Sequence, residues 1–131
     1  MSQKITTFLM FEGCAEEAMN FYLSLFDDSE VLAITRYGPG EAGVEGSVMH
    51  ATFRLADQEY MTIDSAVSHQ FTFTPSISLY VQCETDAEIE RLYPALAEKG
   101  ATLMPLDSYG FSTRFGWVSD RYGVSWQLNL A

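Results

Sequence analysis

One carboxylate and one imidazole stand within a single predicted hairpin. His50 lies in the run Val48 to Leu55, and Asp64 closes the run Tyr60 to Asp64. On one face of that hairpin they would form a carboxylate–imidazole pair, a unit able to move a proton near neutral pH. The alternative is a structural histidine hydrogen-bonded at a strand position. Around them the chain places hydroxyl and amide groups at every second residue. Thr62 and Asp64 alternate with Met61 and Ile63, Ser76, Ser78 and Tyr80 with Ile77, Leu79 and Val81, and Ser125 and Gln127 with Val124, Trp126 and Leu128. Period-two alternation turns one set toward a core and the other away from it. With Thr7, the polar set is the candidate lining of a ligand pocket; the alternative is a solvent-facing sheet surface. Arg36, Arg114 and Trp117 suit an anionic or planar ligand, and each also has an ordinary role in a surface ion pair or in packing. His69, before Phe71-Thr72-Phe73, reads as an exposed loop residue.

These side chains need a scaffold, and the chain writes one twice. Asp120-Arg121-Tyr122-Gly123 offers an Asp to open a tight turn and a Gly to close it, between two β-rich runs. Ala56-Asp57-Gln58-Glu59 does the same between Val48–Leu55 and Tyr60–Asp64. Asp57 and Asp120 are 63 residues apart, and the same offset carries Asp64 onto Gln127. Ahead of the first hairpin come a strand from Lys4 to Phe11, a helix from Ala15 to Phe26 with an apolar stripe at Ala18, Tyr22, Leu25 and Phe26, and a strand from Glu30 to Tyr37. Ahead of the second come a strand from Pro75 to Val81, a helix and a strand from Ala101 to Leu106. The second helix opens on the capping box Thr85-Asp86-Ala87-Glu88, carries Ile89, Leu92, Tyr93 and Leu96 inward, kinks at Pro94 and ends with Gly100 as its left-handed residue. The order is βαβββ, repeated. The Gly38–Gly46 loop holds four glycines but leads into a strand, whereas a phosphate cradle needs its glycines before a helix.

At 131 residues the chain suits one domain, with module 1 at about 1–66 and module 2 at about 75–131 sharing a core. Its composition, 47% hydrophobic and 19% charged, is that of a soluble globular protein, with no apolar run approaching a membrane span. The formal charge of −11 excludes a nucleic-acid partner, because a phosphate backbone needs a basic face and the seven Lys and Arg are scattered. The acid excess serves solubility or attracts a cationic small molecule. The N-terminus lacks the basic-then-apolar order of a signal peptide, so Cys14 and Cys83 are expected as reduced thiols in the cytoplasm.

The opening Phe8-Leu9-Met10-Phe11-Glu12-Gly13-Cys14-Ala15-Glu16-Glu17-Ala18-Met19-Asn20-Phe21-Tyr22 and the closing Asp120-Arg121-Tyr122-Gly123-Val124-Ser125-Trp126-Gln127-Leu128 resemble the vicinal oxygen chelate superfamily of glyoxalase I, bleomycin-resistance proteins and extradiol dioxygenases. Gly46-Ser47-Val48-Met49-His50-Ala51, Met104-Pro105-Leu106 and Gly123-Val124-Ser125-Trp126 resemble its PhnB-like branch. The resemblance implies an α+β fold, two βαβββ modules with a curved mixed sheet around a cleft, and a homodimer. It also implies four metal-ligand positions, on the first and last strand of each module, which fall on Thr7, Asp64, Ser76 and Gln127. Only Asp64 among them is a strong ligand, so the four-ligand metal site and any other cofactor are not expected. The function expected is the binding of a cationic or planar small molecule. The alternative is an enzyme of lyase, isomerase or dioxygenase type, with a divalent metal held by Asp64 with His50 or Gln127, or with a metal-free acid–base pair of His50 and Asp64. Some members of the branch carry a demethylubiquinone methyltransferase label, but the chain has no glycine-rich strand-to-helix loop for adenosylmethionine and no room for a Rossmann-type domain.

Overall fold

The computed structural model describes residues 3–131, and the chain divides into two compact units, Met1–His69 and Gln70–Ala131. The first contains β1 (Thr7–Phe11), α1 (Ala15–Leu25), β2 (Glu30–Arg36), β3 (Val48–Leu55) and β4 (Gln58–Asp64). The second contains β5 (Leu79–Cys83), α2 (Asp86–Ala97), β6 (Ala101–Asp107), β7 (Arg114–Ser119) and β8 (Ser125–Leu130). Each sheet is mixed, in the orders β1-β4-β3-β2 and β5-β8-β7-β6, with β1 parallel to β4, β5 parallel to β8 and the other pairs antiparallel. The helix between the first two strands of each unit lets the first strand lie parallel to the last. The α+β class and the repeated βαβββ order stand as expected. No helix among the described residues is long and apolar enough to cross a membrane.

Each helix buries one stripe on its own sheet. In α1 the stripe is Ala15, Ala18, Met19, Tyr22 and Leu25, and the helix packs on β3, where Ala51, Phe53 and Leu55 are buried, and on β4. In α2 it is Ile89, Leu92 and Leu96, against Val118, Trp126, Leu128 and Leu130. Each such large side chain contributes roughly 1.5–3 kcal/mol by leaving water. The capping box forms: Thr85 accepts from the Glu88 amide at 3.1 Å, and Glu88 reaches back to the amide of Glu84 at 2.7 Å. The helix runs on past Pro94 to Ala97, and the Glu98 amide donates to the Pro94 carbonyl at 3.0 Å.

Three local expectations are corrected. Lys99, at φ 61°, is the left-handed residue after α2, and Gly100 is required for another reason: a Cβ there would lie 2.1 Å from the Ser119 carbonyl oxygen. The strand expected from Pro75 begins only at Leu79, which leaves Ile77 exposed. The two hairpins also differ. Leu55 pairs with Gln58, so the first loop is only Ala56 and Asp57, with Ala56 left-handed. Ser119 pairs with Ser125, so the second holds Asp120 to Val124, closed by the Gly123 amide on the Asp120 carbonyl at 2.9 Å with Gly123 at φ 94°.

The longer second loop moves the internal correspondence. Tyr60 stands opposite the first residue of β1 and Trp126 opposite the first residue of β5, an offset of 66 rather than 63. Asp64 therefore answers to Leu130, and Gln127 to Met61. Because three is odd, the shift also exchanges the faces of the sheet.

Candidate functional site

Register decides which of the candidate residues share a surface. In the first unit Leu9, Thr62 and Ala51 stand in one row, and Phe11 stands opposite Asp64. Thr62 and Asp64 therefore lie on the helix-covered face with the core, and Met61 and Ile63 lie on the other, the reverse of the expected assignment. Apolarity misled there because two polar residues are buried and satisfied. Thr62 donates to the Leu9 carbonyl at 2.8 Å. Asp64 is 3% exposed and accepts three backbone N–H groups, from Gly13 at 2.8 Å, Ala15 at 2.9 Å and Val48 at 3.1 Å. Its carboxylate ties the entry of α1 to the start of β3, a structural task that uses both oxygens. It borders an open depression of about 330 Å³ with Glu12, Ser47 and Ser65.

His50 follows the opposite parity from Ala51 and so lies on the helix-free face, away from Asp64. The carboxylate–imidazole pair does not form. Thr7 is an exposed residue in the row of Tyr60 and Phe53, on the helix side. Ser76 lies outside β5 in a turn, its hydroxyl 2.8 Å from that of Thr74. His69 is tied down by its neighbours: its amide donates to Glu12 at 3.1 Å and its ring lies 3.0 Å from the Ser65 hydroxyl. Arg36 pairs with Glu16 at 2.6 Å, and Arg114 turns to the helix side to pair with Glu90 at 2.7 Å and Asp86 at 3.3 Å. The Arg114 guanidinium, bonded first to Glu90, is held above its ordinary range.

The second unit brings the remaining candidates together. Tyr80, Gln127 and Trp117 form one row across β5, β8 and β7 on the helix-free face. Beside them the Trp117 indole N–H donates to Ser125 Oγ at 2.8 Å, the Ser125 and Ser78 hydroxyls are 2.7 Å apart, and Gln127 Nε2 donates to Ser78 Oγ at 3.2 Å. Tyr80 is 51% exposed beside this network. The next row was missed. Asn129 donates to Gln82 Oε1 at 3.0 Å, and Phe115 stands opposite Asn129. The alternation Ser78-Tyr80-Gln82 and Ser125-Gln127-Asn129 carries that signal in the sequence. The aromatic wall beyond it needs the fold: Phe115 meets Tyr80 at 6.4 Å, Tyr109 at 6.1 Å and Phe111 at 5.0 Å between ring centroids. Burial, followed by the Asp107 carboxylate, raises the Tyr109 phenol above its ordinary range.

The superfamily's metal positions can be tested on this register. The helix-free positions of the first and last strands are Phe8, Met10, Glu59, Met61, Ile63, Tyr80, Gln82, Ser125, Gln127 and Asn129. Aromatic, aliphatic, thioether, hydroxyl and amide groups with a single carboxylate, Glu59 at the loop end of β4, are a poor donor set for a hard or borderline divalent ion, and no group of three His, Cys, Asp or Glu side chains comes together among the described residues. Asp64, the one strong ligand expected, is on the other face with its oxygens occupied. These residues do not fit the metal site of that superfamily.

The arrangement so assembled has relatives. Residues 3–129 match the family model described as 3-demethylubiquinone-9 3-methyltransferase. A Bacillus cereus structure that bears the same name and is described as a PhnB protein is 65% identical, over 98% of this chain and 100% of its own, with a TM-score of 0.97. The curated protein YjdN of Escherichia coli K12 is 26% identical over 84 residues, 64% of this chain, and the match spans only 56% of YjdN. A glyoxylase/bleomycin resistance protein/dioxygenase domain from Frankia, 15% identical over 100% of this chain and 93% of its own at a TM-score of 0.65, shares the fold. Both modules thus follow the glyoxalase/bleomycin-resistance architecture, and with nearly its whole length matched the chain belongs to the 3-demethylubiquinone-9 3-methyltransferase family.

Proposed function

We propose that this chain is a small-molecule-binding protein of the PhnB-like glyoxalase/bleomycin-resistance type, whose ligand lies on the helix-free face of the second module. The observation that carries the reading is the convergence of Ser78, Ser125, Gln127 and Trp117 in one hydrogen-bonded group beside the exposed ring of Tyr80. An apolar surface with a few oriented polar groups is what a small-molecule site requires. A planar ligand would gain roughly 0.5–1.5 kcal/mol from each well-placed aromatic contact. The label of the family is not a reason to infer methyl transfer. The junctions from β1 to α1 and from β5 to α2, Glu12-Gly13-Cys14 and Glu84-Thr85, lack the glycine-rich turn of a Rossmann-type cofactor site.

The reading extends to a cytoplasmic homodimer without nucleic-acid or membrane partners. Two cysteines outside any disulfide, a charge of −11 and the superfamily resemblance support it. The test is a thermal-shift panel of planar neutral and planar cationic compounds, with Tyr80→Ala as control. Stabilisation of the wild type that Tyr80→Ala loses supports binding at this face. No stabilisation by any compound, together with turnover in an enzymatic screen that survives Tyr80→Ala, sinks it.

A further inference from the structure

The hydrogen-bond network on the helix-free face has a direction, and the direction selects a ligand. Trp117 Nε1 can only donate, so Ser125 Oγ accepts from it at 2.8 Å. Ser125 is 2% exposed, and its own hydrogen meets one acceptor among the described residues, Ser78 Oγ at 2.7 Å. If Ser78 donated to Ser125 instead, the Ser125 hydrogen would be buried without a partner, the costly alternative. Ser78 Oγ therefore accepts from Ser125 and from Gln127 Nε2, and its own hydrogen is left pointing outward from a half-exposed residue. A hydroxyl at the end of such a chain is a strengthened donor, because each bond polarises the next. Gln127 presents its other amide atom, the Oε1 carbonyl, without a partner among the described residues. Oε1 shares a carbon with the Nε2 that lies 3.2 Å from Ser78 Oγ, so donor and acceptor are within reach of one small functional group.

Charge narrows the choice further. The rows around this pair hold Ser78, Ser125, Tyr80, Gln127 and Trp117, with no ionised side chain. Arg114 faces the helix, paired with Glu90 and Asp86, so an anion finds no cation here. Asp107, opposite Phe115, stands at the margin of the face, and its carboxylate already accepts the Ser108 amide at 2.7 Å. A cation would be desolvated against hydroxyl and amide groups without a counter-charge.

We infer that this face, if it is the binding site proposed above, takes an uncharged planar cyclic amide: a ring whose C=O accepts from Ser78 Oγ and whose adjacent N–H donates to Gln127 Oε1, with Tyr80 against its plane. The inference rests on the binding reading but goes further, since aromatic stacking alone would take planar molecules of any charge.

Three probes separate the terms on the full-length chain. 2-Quinolone has the N–H and C=O pair, 1-methyl-2-quinolone lacks the N–H, and 1-methylquinolinium is a planar cation with neither. Calorimetry gives affinities, and the two indole N–H signals in a ¹H–¹⁵N spectrum report location. Trp117 is wired to the network, while Trp126 donates to buried Asp120 at 2.9 Å and serves as the internal control of folding. The expected result is 2-quinolone binding at least ~10-fold tighter than either analogue, a discrimination worth about 1.4 kcal/mol. The Trp117 signal shifts and that of Trp126 stays in place. Gln127→Met, which removes the acceptor for the ligand N–H, should abolish the preference for 2-quinolone over its N-methyl analogue. Ser78→Ala, which removes the donor to the C=O, should weaken both quinolones while leaving that preference, and neither variant should move the Trp126 signal. Equal affinity for 2-quinolone and its N-methyl analogue, or preference for the cation, overturns the cyclic-amide inference and leaves the binding reading standing. A Trp117 signal that none of the probes moves overturns the inference as well. The binding reading then falls only if the thermal-shift panel is also blank.

Discussion

Asp64 shows how residue type and residue role part company. A lone carboxylate at a strand end invites a catalytic or metal-binding reading, yet three backbone N–H groups claim it. In Asp64→Asn one oxygen becomes an NH₂ that must face a backbone donor. Urea unfolding should show a loss of about 2–3 kcal/mol for that variant, from the unsatisfied amide and the donor–donor conflict. Ligand discrimination by the folded fraction should be unchanged, whereas a binding role would abolish it. Cys83 is a second residue whose environment decides its chemistry. Burial first, and Glu88 next, push its thiol up to about 11. The thiolate is the reactive form, so at pH 8 a disulfide reagent should titrate half-buried Cys14 in native protein and reach Cys83 only after unfolding. The sign of the linkage follows. A folded-state value above the ordinary thiol value of 9.0 favours the fold while the group is protonated, so this stabilisation is complete below pH 9 and declines as pH rises toward 11. A pH–stability curve of Cys83→Ser that falls as steeply as the wild type between those limits would refute the assignment.

Among the elements, α2 concentrates the sequence's most and least readable signals. Its start is written in Thr85 and Glu88, whose reciprocal bonds are local. Its end is not, because a glycine can be needed for conformation or for space. Lys99 takes the left-handed conformation at φ 61°, and Gly100 makes room for the Ser119 carbonyl. Lys99→Gly should therefore raise stability by about 0.5–1 kcal/mol through relief of Cβ strain. Gly100→Ala should lower it, since the new methyl would sit 2.1 Å from a backbone oxygen. Chemical denaturation of the two variants checks both directions, and the opposite order would restore Gly100 as the helix-ending residue.

For the molecule as a whole, 18 acidic side chains against seven basic ones predict self-repulsion. The melting temperature should rise by a few degrees when sodium chloride goes from about 10 mM to about 500 mM, as the screening length contracts from roughly 30 Å to a few ångströms. Sedimentation over the same range tests the proposed homodimer, which should persist at low salt if apolar contact holds it. A dimer seen only at high salt would mean that screening alone permits association. The family membership and the fold are common to both outcomes, because they rest on two modules each closed around its own helix and sheet.

What the sequence determined by itself was whatever depends on neighbours in the chain. The βαβββ order, the helix stripe of Ala18, Tyr22 and Leu25 without the expected Phe26, which stands past the end of α1 in extended backbone, the capping box and the Asp120–Gly123 turn are local patterns that appear in the structure where their residues stand. Alternation in β8 was equally legible, since Trp126 and Leu128 are apolar and buried while Ser125 and Gln127 are polar and turn away from the helix. Alternation in β4 was not. Thr62 and Asp64 are polar and buried on the helix side, because the Leu9 carbonyl and the backbone amides of Gly13, Ala15 and Val48, distant in sequence, satisfy them. The internal offset failed for a related reason. The repeat was counted from the aspartates of the two turns, but a two-residue loop and a five-residue loop place those aspartates differently against the strands. Register is fixed by pairing across strands, so a three-residue difference in loop length moved the counterpart of Asp64 from Gln127 to Leu130. The direction of the Trp117–Ser125–Ser78 chain likewise needed the fold, because it follows from which hydroxyl is buried.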